Sequence, residues 1–271
     1  MERIDLHTHS TFSHDGNAAL ADMVAAAHLR GLKYYGVSEH FDYDCAALGV
    51  TVNEKPLRQI DAQAYFTAAR SLQKQDTSLL VGCEFGYANH ADALAAYAQT
   101  IARYKPDFVI NSVHVCDGKD CYFPDYFAEK SMRRAYESYL ACVRESLDAP
   151  YAYDIVGHIG YVSRNAPYEN KKLRYDDYVA QLNDILETVI AKRAVLEVNI
   201  SARGALSAFL PDTDILQRYY DLGGRALSFG SDAHDTSRIA ERYDETVSTL
   251  RAIGFTHFTV PVRGKRIEFS F

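Results

Sequence analysis

The feature that most constrains this chain is an alternation running through its whole length. Short runs rich in Val, Ile and Tyr occupy 3–9, 33–40, 78–85, 107–115, 153–160, 194–201 and 225–234, and stretches of helical periodicity occupy 18–30, 62–75, 91–104, 131–147, 175–192, 213–222 and 239–253. Continuous apolar strands separated by amphipathic helices mean a parallel sheet covered by helices. Seven or eight such units in 271 residues suggest a closed α/β barrel. An open doubly wound sheet is the rival fold, but no GxGxxG follows the first strand. A late run, 257–262, either adds an eighth strand or packs outside. No low-complexity segment or Pro/Gly/Ser linker divides the chain, so residues 1–271 are read as a single domain.

The strands share a second property. Each runs apolar and then finishes in a residue type that ligates metal. The first ends in His7 and His9, the second in Glu39 and His40, the third in Glu84, the fourth in His114 and the fifth in His158. The sixth carries Glu197 and Asn199, and the seventh ends in Asp232 and His234. In a parallel barrel all the C-terminal strand ends meet on one face. Side chains more than two hundred positions apart then converge. Imidazoles and carboxylates buried together are costly unless paired or bound to metal. Nitrogen and carboxylate donors without thiolate suit Zn²⁺, Fe²⁺ or Mn²⁺. The His7-x-His9 spacing puts two side chains on one side of a strand. Glu39 neighbours His40 on an alternating strand and is assigned an orienting role. Glu197 and Asn199 are candidates to orient neighbours or water.

Composition excludes several classes. A formal charge of −7 argues against non-specific binding to nucleic acid or an anionic membrane. The five cysteines, Cys45, Cys83, Cys116, Cys121 and Cys142, form no CxxC pair and read as reduced, buried thiols. No signal-peptide pattern opens the chain and no apolar run is long enough to span a bilayer, so a cytoplasmic protein is expected. Oligomeric state is not readable from the sequence.

The motifs "DLHTHSTFSHDG", "SEH", "GCEFGY", "SVHV", "VGHIGYVSRNAP" and "GSDAH", in this order, resemble the PHP (polymerase and histidinol phosphatase) family over nearly the whole chain. The first, third and fifth are most similar to its histidinol-phosphate phosphatase branch. The resemblance implies an α/β fold, a distorted (β/α)7 barrel (TIM-barrel-like), with three divalent metal ions. Carried over, His7, His9, Glu84 and Asp232 would hold the first metal. Glu84, His114 and His158 would hold the second, with Glu84 bridging, and Asp15, His40 and His234 the third. Asp15 is favoured over His14 by its spacing from His9, which leaves His14 as a substrate contact or an orienting neighbour.

Arg164 and Arg203 follow strands five and six, where their planar guanidinium groups suit a phosphate, and the family places phosphate-binding arginines similarly. The implied activity is hydrolysis of a small phosphate ester, L-histidinol phosphate, in histidine biosynthesis. A metal-bridging hydroxide would attack phosphorus, and Asp232 or His234 would relay a proton. Phe41, Asp42, Asp44, Asn89, His90 and Tyr161 are the rim candidates for recognising the organic part. Three rival readings are a PHP-type phosphoesterase acting on phosphotyrosine or a nucleotide, a non-catalytic metal-binding barrel, and an amidohydrolase. The last expects a lysine at a middle strand end, where none stands. His28 and His257 are read as structural.

Overall fold

The computed structural model describes residues 2–52, 55–202 and 208–271. Seven parallel strands lie side by side in chain order: β1 (Arg3–Asp5), β2 (Leu32–Phe41), β3 (Leu79–Gly86), β4 (Val109–Ser112), β5 (Ile155–Val156), β6 (Val195–Asn199) and β7 (Leu227–Gly230). The last meets the first just beyond their regular segments. Leu6 N donates to Phe229 O at 2.9 Å, Asp232 N to His7 O at 2.8 Å, and His9 N to Ala233 O at 2.9 Å. The result is the distorted (β/α)7 barrel, nearly closed, that the alternation and the family resemblance imply.

Helices fill the crossovers: α1 (Leu20–Leu29), α2 (Tyr43–Leu48), α3 (Ala62–Gln73), α4 (Ala91–Tyr104), α5 (Met132–Ser146), α6 (Val179–Ala191), α7 (Thr213–Asp221) and α8 (Tyr243–Ile253). Two caps follow the expected chemistry: Asp61 accepts from Ala64 N ahead of α3, and Ser131 from Arg134 N ahead of α5. The helix expected over 239–253 starts only at Tyr243, because Ala240 and Arg242 sit at positive φ and break the helical path. The late run is β8 (His257–Val262). It pairs antiparallel with β9 (Lys265–Ser270) and stays outside the barrel sheet.

The two ends of the barrel differ in chemistry. At the N-terminal end, Phe108 fills the interior, and a Cβ on Gly82 would collide with its ring. Burying such a side chain is worth about 1.5–3 kcal/mol. Beside it, the buried Asp107 carboxylate accepts from Arg70 Nη1 at 2.7 Å, Val81 N at 2.9 Å and Arg263 Nε at 2.6 Å, tying α3, β3 and the β8–β9 turn together. The C-terminal end holds the polar residues. Among the described residues no helix is long and apolar enough to cross a membrane.

Candidate metal centre

Strand alternation delivers the ligand candidates. After β1, Leu6 and Thr8 face away from the mouth, with Thr8 Oγ1 donating to Gly36 O at 2.8 Å, so His7 and His9 face in. Parallel register sets His40 of β2 beside Glu84 of β3. Glu39 is turned the other way, taking Ser10 N and Ser13 N at 3.0 Å each and fixing the loop after His9. Asp232 and His234 come after β7 against the same mouth.

Glu84 sits at the centre. Its Oε2 lies 3.2 Å from His7 Nε2, 3.5 Å from His9 Nε2 and 2.9 Å from His40 Nδ1. Its Oε1 lies 3.3 Å from His114 Nε2 and 2.9 Å from His158 Nε2. Asp232 Oδ1 stands 3.4 Å from His9 Nε2 and 3.7 Å from His7 Nε2. On the outer side, Asp15 reaches His234 Nε2 at 3.0 Å and His40 Nε2 at 3.8 Å. The imidazole of His9 stacks against those of His40 and His234, with centroids 4.1 and 4.4 Å away.

A supporting layer orients these groups. Glu197 Oε1 holds His7 Nδ1 at 2.5 Å, and its other oxygen accepts from His158 N at 2.7 Å. Gly230 makes the first contact sterically possible, since a Cβ there would collide with the Glu197 carboxylate and approach His7 Cβ to 2.7 Å. Ser13 Oγ meets His9 Nδ1 at 3.2 Å, and Ser112 Oγ donates to Glu84 Oε1 at 2.7 Å.

The electrostatics favour bound cations. Burial works to raise the Glu84 pKa, but His7, His40 and His114 overcome it and hold the carboxyl well below the usual range. Burial is also outweighed at Asp232, by Arg164 first and then His7, so it too stays ionised. His9 is pushed well below the ordinary imidazole value by burial and by His40 and His234, leaving a neutral donor nitrogen. Six buried atoms of the nest make no well-aligned hydrogen bond: Nε2 of His7, His9 and His234, Nδ1 of His40 and His158, and Oε2 of Glu84. Each such orphan costs about 1–3 kcal/mol if left unpaired. Four overlapping triplets place their donor atoms within 4.8 Å of one another: His7/His9/Glu84, His7/His158/Asp232, His40/Glu84/His114 and His9/His40/His234. Imidazole and carboxylate donors in this arrangement fit divalent metal.

A cavity of about 570 Å³ opens over the nest. Arg164 lines it, donating to Asp232 and Ser201 while stacking on Tyr161 at 4.9 Å, and its Nε has no partner. His14 also lines the cavity, with Nδ1 3.0 Å from Asp42. Arg203 lies outside the described residues. Of the rim candidates, Asp42 and Tyr161 line the cavity and the other four do not. His90 accepts, through its carbonyl, the N–H of Leu94 at the start of α4, and Asn89 donates to Glu145 at 2.6 Å. Phe41 is wholly buried, and Asp44 accepts from the Tyr97 hydroxyl at 3.1 Å. Among the cavity residues that sequence reasoning missed, those with charged or aromatic side chains are Lys55, Arg58, Asp120, Tyr122, Phe123 and Arg238. Three of them stand on or just after a ribbon, Val115–Cys116 against Lys119–Asp120. Asp117 and Gly118 turn this ribbon, both at positive φ, which the "DG" dipeptide signals.

A parallel barrel with imidazoles and carboxylates gathered at its mouth defines a class, the barrel proteins built around a metal centre. The PHP domain family matches residues 5–201, and the chain belongs to that family. It is 25% identical over 264 residues to the probable histidinol-phosphatase of Thermotoga maritima, covering 97% of each chain. It is 25% identical over 272 residues to the histidinol-phosphatase of Lactococcus lactis, covering 99% of this chain and 97% of that one. The crystal structure of the Lactococcus lactis histidinol phosphate phosphatase complexed with zinc, L-histidinol and phosphate superposes with a TM-score of 0.85 at 24% identity, over 98% of this chain and 99% of that one.

Proposed function

We propose that this chain is a metal-dependent phosphomonoesterase that hydrolyses L-histidinol phosphate to L-histidinol and phosphate, a step of histidine biosynthesis. The observation that carries this reading is the buried nest centred on Glu84, with its orphaned donor atoms, beneath a cavity lined by His40, His114, His158, Asp232, His234 and Arg164. Relatives named histidinol-phosphatase that match almost end to end support the substrate. The reading takes residues 1–271 as one domain working in the cytoplasm.

His7, His9, Glu84 and Asp232 would hold one ion, Glu84, His114 and His158 a second, and Asp15, His40 and His234 a third. Zinc, iron(II) and manganese(II) all suit this donor set. When bound, such ions lower the pKa of water and neutralise phosphoryl charge.

The chain's own residues do the rest. Arg164 lines the cavity with a guanidinium already fixed by Asp232 and Ser201, placed to pair with a phosphate oxygen. Arg203 is proposed to add a second cation. Asp232 or His234 would relay a proton between the attacking water and the leaving group, and Glu84 would bridge the first two ions. His14, fixed by Asp42, also faces the cavity and is proposed to contact the substrate. Histidinol carries an ammonium and an imidazole. Asp42 and Asp120 supply negative charge for the first, and Tyr122 and Tyr161 supply aromatic faces for the second.

The test is a panel of L-histidinol phosphate, phosphotyrosine and a nucleoside monophosphate assayed with metal-replete protein. A wide preference for histidinol phosphate in kcat/KM is expected, together with loss of turnover on chelation. Equal turnover of the three would overturn the substrate and leave the reaction class standing.

A further inference from the structure

The ribbon after β4 holds a feature that the metal centre does not use. Cys116 Sγ, on its first strand, stands 2.7 Å from Cys142 Sγ on α5. Both thiols are free. Cys116 is buried and Cys142 is partly exposed, so an oxidant in solvent meets Cys142 first. A disulfide spans roughly 2.05 Å between sulfurs, so closing this pair asks for a shift well under the width of an atom. Cys45, on α2, and Cys83, on β3, are free thiols away from this pair.

The location gives the bond a consequence. The ribbon begins one residue after His114 and ends in Asp120, with Tyr122 just beyond. Its hold on the barrel includes Cys121 N donating to His114 O at 2.9 Å and Tyr161 Oη donating to Asp120 at 3.2 Å. A covalent link from Cys116 to α5 would fasten this wall of the cavity to the outer helix layer.

We propose that Cys116 and Cys142 are a redox modification site, closing to a reversible intramolecular disulfide that staples the cavity's ribbon to α5. With hydrogen peroxide as oxidant, the Cys142 sulfur attacks one peroxide oxygen. The O–O bond breaks, water leaves, and Cys142 becomes a sulfenic acid. The Cys116 sulfur then attacks that sulfur, the S–O bond breaks, and the departing hydroxide takes the Cys116 proton as a second water. Two thiol hydrogens and two electrons pass to one peroxide, giving two waters and one S–S bond. A dithiol reductant reverses the step by exchange. In a reducing compartment such a bond is transient, as redox-sensing disulfides are.

The test uses metal-replete, full-length protein treated with peroxide and then alkylated under denaturing conditions. The expected product has a mass lower by two hydrogen atoms before alkylation and three alkylatable thiols where the reduced chain has five. Its digest contains one crosslinked peptide pair joining Cys116 to Cys142. The thermal unfolding midpoint should rise by several degrees and fall back with dithiothreitol. Cys142→Ser, on the partly exposed helix position, and Cys116→Ser should each abolish both changes; either variant alone suffices if the other fails to fold. Five alkylatable thiols after oxidation, a crosslink through Cys121, or a sulfinic acid at Cys142 without a crosslink would each overturn the proposal.

Discussion

His7 and Glu197, 190 residues apart in sequence, meet at 2.5 Å between Nδ1 and Oε1 inside the barrel. The contact fixes which imidazole nitrogen faces the nest and makes it a stronger donor. Glu197→Gln keeps the shape but removes the charge. Metal affinity should fall by about 10–100-fold, with activity largely recovered at excess metal. A chelator-competition titration measures it, and unchanged affinity would remove Glu197 from the supporting layer.

Glu84 offers one oxygen to His7, His9 and His40 and the other to His114 and His158. No other side chain can replace both. Glu84→Ala should lower metal content in elemental analysis and reduce turnover by ~10³-fold or more, which is about 4 kcal/mol of barrier. Full metal content with full activity would rule out a bridging carboxylate.

The legible part of this molecule is the part written into strand periodicity. Every histidine expected at a strand end reaches the mouth, because strand alternation turns those positions inward at the C-terminal end of the barrel while it turns Glu39 away. The connections beyond the strand ends are harder to place. His90 and Asn89 come soon after β3 in sequence, yet α4 starts there and carries them away from the cavity. Asp44 comes closely after β2 but belongs to α2, which packs it under Tyr97. Asp120, Tyr122 and Phe123 enter the cavity because the Asp117–Gly118 turn folds the chain back over it. Helical and strand periods say nothing of such a turn, and only the dipeptide signals it.

Arg164 lies against the nest with a donor to spare. Arg164→Ala should leave metal content intact and cost about 10²–10³-fold in kcat/KM, the effect of losing one fixed charge donor to a phosphoryl group. Arg164→Lys should recover little, since a point charge cannot reproduce the fork. Steady-state kinetics at saturating metal decide it, and wild-type kinetics in the alanine variant would place the phosphate elsewhere.

Asp44 gives a pH signature. Burial, with help from neighbouring Asp42, pushes its carboxyl up to about 7. The unfolded chain titrates near 3.9, so the folded state binds an extra proton between about pH 4 and 7. Stability from this group is then fully present below pH 4 and declines as pH rises through that window. Asp44→Asn removes the titration. Relative to wild type, the variant should gain stability as pH rises from 5 to about 7 and level off above that in urea unfolding of metal-replete protein. A constant difference across that range would refute the shift.

Asp120 stands at the mouth with its Oδ1 accepting from Tyr122 N at 2.8 Å and Tyr161 Oη at 3.2 Å. Burial raises its pKa from the ordinary value, and a substrate ammonium docking beside it would restore the charge-paired state. A hydrogen bond to a charged group is worth about 1.5–3 kcal/mol, so Asp120→Asn should cost roughly 10–100-fold in kcat/KM for L-histidinol phosphate. An aryl phosphate with no ammonium gains nothing from that carboxylate, and its turnover should hardly change. The ratio of the two kcat/KM losses separates recognition of the organic part from damage to the metal centre. Equal losses on both substrates would mean that Asp120 only braces Tyr161 and the ribbon.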